Sequence, residues 1–260
     1  MNARNQYRTE AIVLRILDYG DSDRIITFCT SGFGKLRGIA KGARRSRKRF
    51  VNALEPFSFS EILFSRRGPD SLALIENSDV ICHFPAIRAD LEKTLSASYL
   101  IDLTDQFTLE DKKNDELFRL LLGFLQLIED IPPKEALLRF FEIRLLKLSG
   151  YDPLLDHCLI CKTPLGKENA YRFTAANGGL TCLACRPEDP DAIPVSLGTI
   201  RTLVMGRDLT IDRLGRLLLS EQSAFESRLL LAHFIRHILG KEPKSVHVLN
   251  EIRRLRIENF

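Results

Sequence analysis

Two cysteine pairs set the tightest limit on what this chain can fold into. CLIC (158–161) and CLAC (182–185) stand 20 residues apart. In each CxxC, two thiolates reach one ion from a single tight turn, and two such knuckles fill a tetrahedral zinc site. The expected ligands are Cys158, Cys161, Cys182 and Cys185, holding one Zn²⁺. The intervening residues predict a β-hairpin with Asn177-Gly178-Gly179 at its tip. Four thiolates on Zn²⁺ carry excess negative charge, which Lys162, Lys167, Arg172 and Arg186 would offset. His157 adjoins the first knuckle, but four cysteines complete the set. A closed thiolate site without an HxE signature reads as structural, a staple for a module at about 151–190 that is too small to own a core. Cys29 and Cys82 stand alone in apolar runs and are expected to be buried thiols.

Upstream of this module the pattern is β. Glu10–Asp18, Arg24–Ser31 and Lys35–Lys41 read as strands, with Gly32-Phe33-Gly34 as a tight hairpin turn. A fourth strand is expected from Phe57 to Phe64 and a fifth begins at Leu72–Glu76, after the turn Gly68-Pro69-Asp70. Five short strands at hairpin spacing predict an antiparallel barrel of the OB type over residues 1–82. From about 83 to 260 the period becomes helical. Segments are expected at 90–106, 115–129, 133–148, 196–205, 220–239 and 245–258. Leu117, Leu120, Leu121, Phe124 and Ile128 form one apolar stripe. The fold class is therefore α+β: a five-stranded OB barrel, then a helical domain with the zinc module embedded in it.

Charge separates the two regions. Residues 1–81 hold fourteen Lys/Arg against nine Asp/Glu, whereas the other 179 hold 24 against 25. Arg24 to Leu54 contains nine basic residues and no acid. Such a concentration marks a polyanion partner. Strand side chains alternate, so Lys35, Arg37, Ile39 and Lys41 share one face, while Leu36 and Ala40 point into the barrel. Arg44, Arg45, Arg47, Lys48 and Arg49 carry the positive field into a loop, and Arg24 is expected nearby. OB barrels bind nucleic acid across strands 2 and 3. These nine cations are the expected nucleic-acid-binding residues. Phe33 and Phe50 bracket the run, as core residues or as stacking platforms.

Signatures of catalysis are missing. The glycines at 32–34 lack Walker spacing, and neither GxSxG nor HExxH occurs. Asp18, Asp21 and Asp23 fall in a turn and read as turn formers. No run approaches the ~20 apolar residues of a membrane span, and the polar N-terminus lacks a signal core, so a cytoplasmic, non-enzymatic protein is expected.

The segments DSDRIITFCTSGFGKLRGIAKGARRSRKRF and LEPFSFSEILF, with the order barrel, helices, four-cysteine module, resemble the bacterial RecO family of DNA repair and recombination mediators. The resemblance implies binding to single- and double-stranded DNA and annealing of complementary strands. It also implies work with RecR to help RecA replace single-strand-binding protein, and contact with that protein's acidic C-terminal tail. It implies the nucleoid as the place of action. The alternative is a zinc-ribbon RNA-binding or transcription-associated protein, since a barrel with a basic loop suits RNA equally. A zinc-dependent nuclease or deaminase is a second rival.

Overall fold

The structure, a computed structural model, describes residues 5–46, 48–68, 71–166, 170–185 and 190–258. It falls into two compact units, one ending at Pro132 and the other starting at Pro133.

The first unit is built on strands β1 (Asn5–Tyr19), β2 (Asp23–Thr30), β3 (Gly34–Ala40), β4 (Phe59–Arg66) and β5 (Ala73–Cys82). They close into a barrel in the order β1-β2-β3-β5-β4. Every pairing is antiparallel except β3 with β5, which run parallel through Gly38–Ala73 and Ile39–Leu74. This is an OB-fold barrel. β1 is longer than the apolar run from Glu10 implies because it serves two neighbours. Residues 5–12 pair with β4 and residues 11–19 with β2, with an irregularity between Val13 and Arg15 that turns the strand from one to the other. β4 starts at Phe59 rather than the expected Phe57. Phe57 takes a left-handed φ of 55° in the preceding turn, and its N–H bonds the Val13 carbonyl.

Ala11, Val13, Ile26, Phe28, Leu36, Ala40, Ile62, Phe64 and Ile75 fill the barrel. Helices α1 (Pro85–Ala89), α2 (Leu91–Phe107) and α3 (Asp115–Asp130) complete this unit. Asp90 caps α2 through the Lys93 N–H, and Asn114 caps α3 through the Leu117 N–H. The five-residue stripe of α3 is buried throughout. α2 packs on β1 and α3 on β2, with Phe118 against Phe59.

The second unit contains α4 (Glu135–Leu148), then the strands β6 (Ala170–Thr174), β7 (Gly179–Thr181) and β8 (Ile193–Ser196), ordered β7-β6-β8. α5 (Leu197–Asp208), α6 (Ile211–Leu214), α7 (Glu221–Leu239) and α8 (Lys244–Glu258) follow. Pro133 lies before α4, whose cap is Lys134, so the proline is not in its first turn as expected. Arg139 and Glu142 pair at 2.6 Å inside α4's buried face. α5 crosses α4 so closely that a Cβ at Gly206 would overlap the Phe140 ring. Among the described residues no helix is long and apolar enough to cross a membrane.

Candidate nucleic-acid interface and thiol cluster

The alternation of β3 appears as its spacing requires. Leu36 and Ala40 are 2% and 0% exposed, while Arg37 is exposed and Lys35 half-buried. Lys41 follows the strand and is exposed. Arg24 does not join that face. It is paired in register with Ala40 and Asp18, so it shares the inner face at the barrel's end, where it bonds Asp18 at 3.1 Å and Glu55 at 3.4 Å.

Two of the β3 cations meet acids far along the chain. Lys35 Nζ donates to the Asp105 carbonyl at 2.6 Å and approaches its carboxylate at 3.3 Å. Arg37 lies 3.6 Å from Glu110, with both side chains about half exposed. The connection between α2 and α3 runs alongside β3: the Asp111 N–H bonds the Lys35 carbonyl at 3.0 Å, and Lys35 and Glu110 form a parallel bridge. Gly34 permits this approach. Its φ is 68°, and a Cβ there would overlap the Lys112 carbonyl.

The basic loop is held at several points. Asp23 Oδ1 accepts from the Gly42 N–H at 2.8 Å, and the Ser22 carbonyl accepts from the Arg44 N–H at 3.0 Å. Arg44 also reaches Asp18 at 3.8 Å. The acidic turn therefore anchors the loop through Asp23, Ser22 and Asp18. Arg49 donates to the Lys41 carbonyl at 2.8 Å and stacks over Phe50, 5.0 Å from its centroid. Phe50 is 5% exposed and belongs to the barrel core. Phe33 packs against Tyr7 and Phe64 beneath Arg66. Arg45 and Lys48 are exposed, and Arg47 lies outside the described residues.

Arg15 escaped the reading of the sequence. The registers Arg15–Thr27 and Thr27–Arg37 put it on the outer face beside Arg37, and Asp105 bonds it at 2.6 Å. These residues, with Leu17, Ile25, Lys35 and Glu110, line a cleft of 360 Å³. Arg15 alternates correctly within β1, but only the cross-strand register links it to β3.

In the second unit the four sulfurs of Cys158, Cys161, Cys182 and Cys185 lie within 4.8 Å of one another, close enough to hold one metal ion. The first knuckle turns through Lys162, whose φ is 59° and whose N–H bonds the Cys158 carbonyl at 3.0 Å. β6 and β7 form the expected hairpin, with Gly178 at φ 62° in its turn. His157 is not a member of the cluster; it pairs with Asp156 at 2.7 Å. Hydrogen bonding with Thr163 holds the Cys161 thiol down at about 6, whereas bonds to Cys182 and Cys161 push Cys185 up to about 12. Thiols this close cannot all ionise unaided, and a divalent cation removes the conflict. Arg172 turns instead to the Ala192 carbonyl, and Lys167 and Arg186 lie outside the described residues. Cys29 is fully buried, and burial pushes its thiol up to about 12. Cys82 is only half-buried, against expectation, because β5 ends there at the rim of the barrel.

Comparison with known proteins agrees with these parts. The family described as recombination protein O, N terminal, matches residues 1–84, and its C-terminal counterpart matches 88–247. The DNA repair protein RecO of Syntrophus aciditrophicus is 55% identical over 257 residues, covering 98% of this chain and 99% of the relative. That of Geobacter metallireducens is 37% identical, covering 94% and 97%. That of Dehalococcoides mccartyi is 30% identical, covering 98% and 99%. A barrel with a basic outer face, followed by helices and a four-thiol cluster, thus comes with full-length relatives, and the chain belongs to the RecO family of DNA repair proteins.

Proposed function

We propose that the protein is a recombination mediator that binds single- and double-stranded DNA and anneals complementary strands. With RecR it helps RecA replace single-strand-binding protein, whose acidic tail it also contacts. One observation carries this reading: the outer face of a closed OB barrel presents Arg37 and Lys41 and continues into an anchored loop bearing Arg44, Arg45, Lys48 and Arg49. Arg47 lies in the same basic run. Lys35 is held on the same face by Asp105, and Arg24 supports the barrel end from the inner face through Asp18.

The mechanism is electrostatic. Cations neutralise phosphates and release counterions, and screening the repulsion between two strands lets their bases meet. No bond is made or broken. Zinc is the ion we assign to the four thiols, where it fixes the module without taking part in DNA chemistry. The protein then acts in the cytoplasm, at the nucleoid.

The experiment is annealing of complementary strands coated with single-strand-binding protein. Faster annealing supports the mediator, and an unchanged rate rejects it. Replacing Arg44, Arg45, Arg47, Lys48 and Arg49 with alanine should slow annealing and flatten the salt dependence of binding by about 0.7 for each phosphate no longer neutralised. The variant should keep its metal and its melting curve.

A further inference from the structure

The outer face of the barrel also carries an apolar row that phosphate binding leaves without a role. Leu17 pairs in register with Ile25, Ile25 with Ile39, and Ile39 with Leu74. Directly opposed residues share a face. The four therefore form one line across β1, β2, β3 and β5, roughly 14 Å long at the usual strand spacing. Leu17 is 58% exposed, and Ile25, Ile39 and Leu74 are half-buried.

Among the described residues, the helices of this unit pack chiefly elsewhere on the barrel. They bury a different part of the outer face, where Ile12 and Cys29 lie opposite one another and Phe59 meets Phe118. Between that covered part and the apolar row run Arg15, Thr27 and Arg37. On the other side stand Tyr19, 55% exposed, and Lys41. The row is thus an apolar strip with Arg15 and Arg37 along one margin and Lys41, on the side of Tyr19 and Asp23, along the other. The 360 Å³ cleft contains its Leu17–Ile25 end together with Arg15 and Arg37.

Such a strip fits an occupant that is apolar in the middle and anionic at the edges. A duplex hides its base faces, and a peptide supplies both features only where acidic and apolar side chains happen to alternate at the matching spacing. An extended single strand offers both. We propose that Leu17, Ile25, Ile39 and Leu74 form a platform for the unstacked bases of single-stranded nucleic acid, with Arg15, Arg37 and Lys41 on its phosphates. This rests on the reading of the barrel face as a DNA site and adds what the face does with the bases. The platform has room for roughly two or three bases. An aromatic platform grips bases by stacking. An aliphatic one excludes water from the base face without directional contact and leaves the pairing edges free. The held strand stays legible to its complement, as annealing requires.

The test compares wild-type protein with Leu17→Ser and with Leu17→Ser/Ile39→Ser. Each is titrated with a single-stranded oligonucleotide, an abasic strand of equal length, and a duplex. Wild type should prefer the normal strand to the abasic one. The double variant should bind the normal strand about five- to tenfold more weakly, as expected when apolar burial is removed. Its affinity for the abasic strand and the duplex should hold, with an unchanged salt slope. Should Ile39→Ser prevent folding, read from the melting curve, Leu17→Ser alone carries the test at an exposed position, with a smaller loss on the normal strand only. Equal wild-type affinity for normal and abasic strands overturns the platform, as does an equal loss on all three probes. Wild-type protein that binds none of the three overturns instead the DNA reading beneath it. A variant in which Leu17→Trp raises single-strand affinity while slowing annealing would strengthen the case for an aliphatic surface.

Discussion

Lys35 and Asp105 are bound to each other twice, once through the Asp105 carbonyl at 2.6 Å and once through its carboxylate at 3.3 Å. Both side chains are largely withdrawn from solvent, at 15% and 12% exposure. The ammonium group is thus committed to joining β3 to the end of α2. We expect Lys35→Ala to destabilise the protein by about 1–2 kcal/mol, the worth of a charge-assisted bond partly compensated by Arg15. The salt slope of DNA binding should stay the same. Urea unfolding and a salt titration on one preparation check both halves, and a slope that falls by the worth of one phosphate would return Lys35 to the DNA site.

Arg37 behaves in the opposite way. Its partner Glu110 is 3.6 Å away and both are about half exposed, so the pair is readily exchanged. A phosphate arriving at Arg37 must displace Glu110. Glu110→Gln should therefore raise affinity for DNA about two- to fivefold at low salt, with the gain fading as salt screens both interactions. Fluorescence anisotropy at two salt concentrations reads this, and weaker binding by the variant would show that Glu110 positions Arg37 for DNA.

These two residues also mark where sequence reading stops. Alternation is local, so GKLRGIA disclosed which side of β3 faces the core and which faces solvent. The cysteine knuckles disclosed their cluster for the same reason, since each pair spans one turn. What decides whether a cation is free is a partner brought in by the fold. Asp105 and Glu110 lie far beyond β3 along the chain, at the end of α2 and in a segment that reads as a plain helix connection. Arg24 lies beside β3, opposite Ala40, but the face it shares follows from that pairing and not from its position in β2 alone. β8 escaped notice because Pro194 interrupts a four-residue strand, and α1 because it is only five residues long.

The thiol cluster should control the stability of the second unit. Chelation, or Cys158→Ser, is expected to lower the melting temperature and to abolish stoichiometric zinc, because one ion would join the turn of Cys158 and Cys161 to that of Cys182 and Cys185. Metal should also be lost on acidification, since protons compete for thiolates and Cys185 holds its proton up to about 12 without an ion. Metal analysis across a pH series, alongside thermal melts, checks this. Metal-free protein with an unshifted melt would reject the assignment.

Glu226 offers a pH test away from the metal. Burial pushes its carboxyl up, but bonds from Thr199, the Ser196 N–H and hydroxyl, and Gln222 outweigh that and leave it below the usual carboxylate range. A depressed folded-state value means stability that is present above the unfolded value and lost as pH falls through the folded one. Glu226→Gln should thus cost up to about 1 kcal/mol at pH 7, because solvent screens a carboxylate that is only partly buried. The gap to wild type should close on acidification below the ordinary carboxylate range. Denaturant unfolding at several pH values measures it, and a gap that persists in acid would mean the loss is steric.

The anchoring of the basic loop has a consequence for the thermodynamics of association. Asp23 fixes Gly42, Ser22 fixes Arg44, the Ser78 N–H donates to the Arg49 carbonyl at 3.1 Å, and Phe50 and Leu54 are sunk in the barrel. The chain entropy of ordering residues 42–46 and 48–54 is surrendered during folding, before any ligand arrives. A loop that folded on its ligand would give a large negative heat-capacity change. Here the backbone stays as it is, and the heat-capacity change should be small, leaving ion release and base contact to set the affinity.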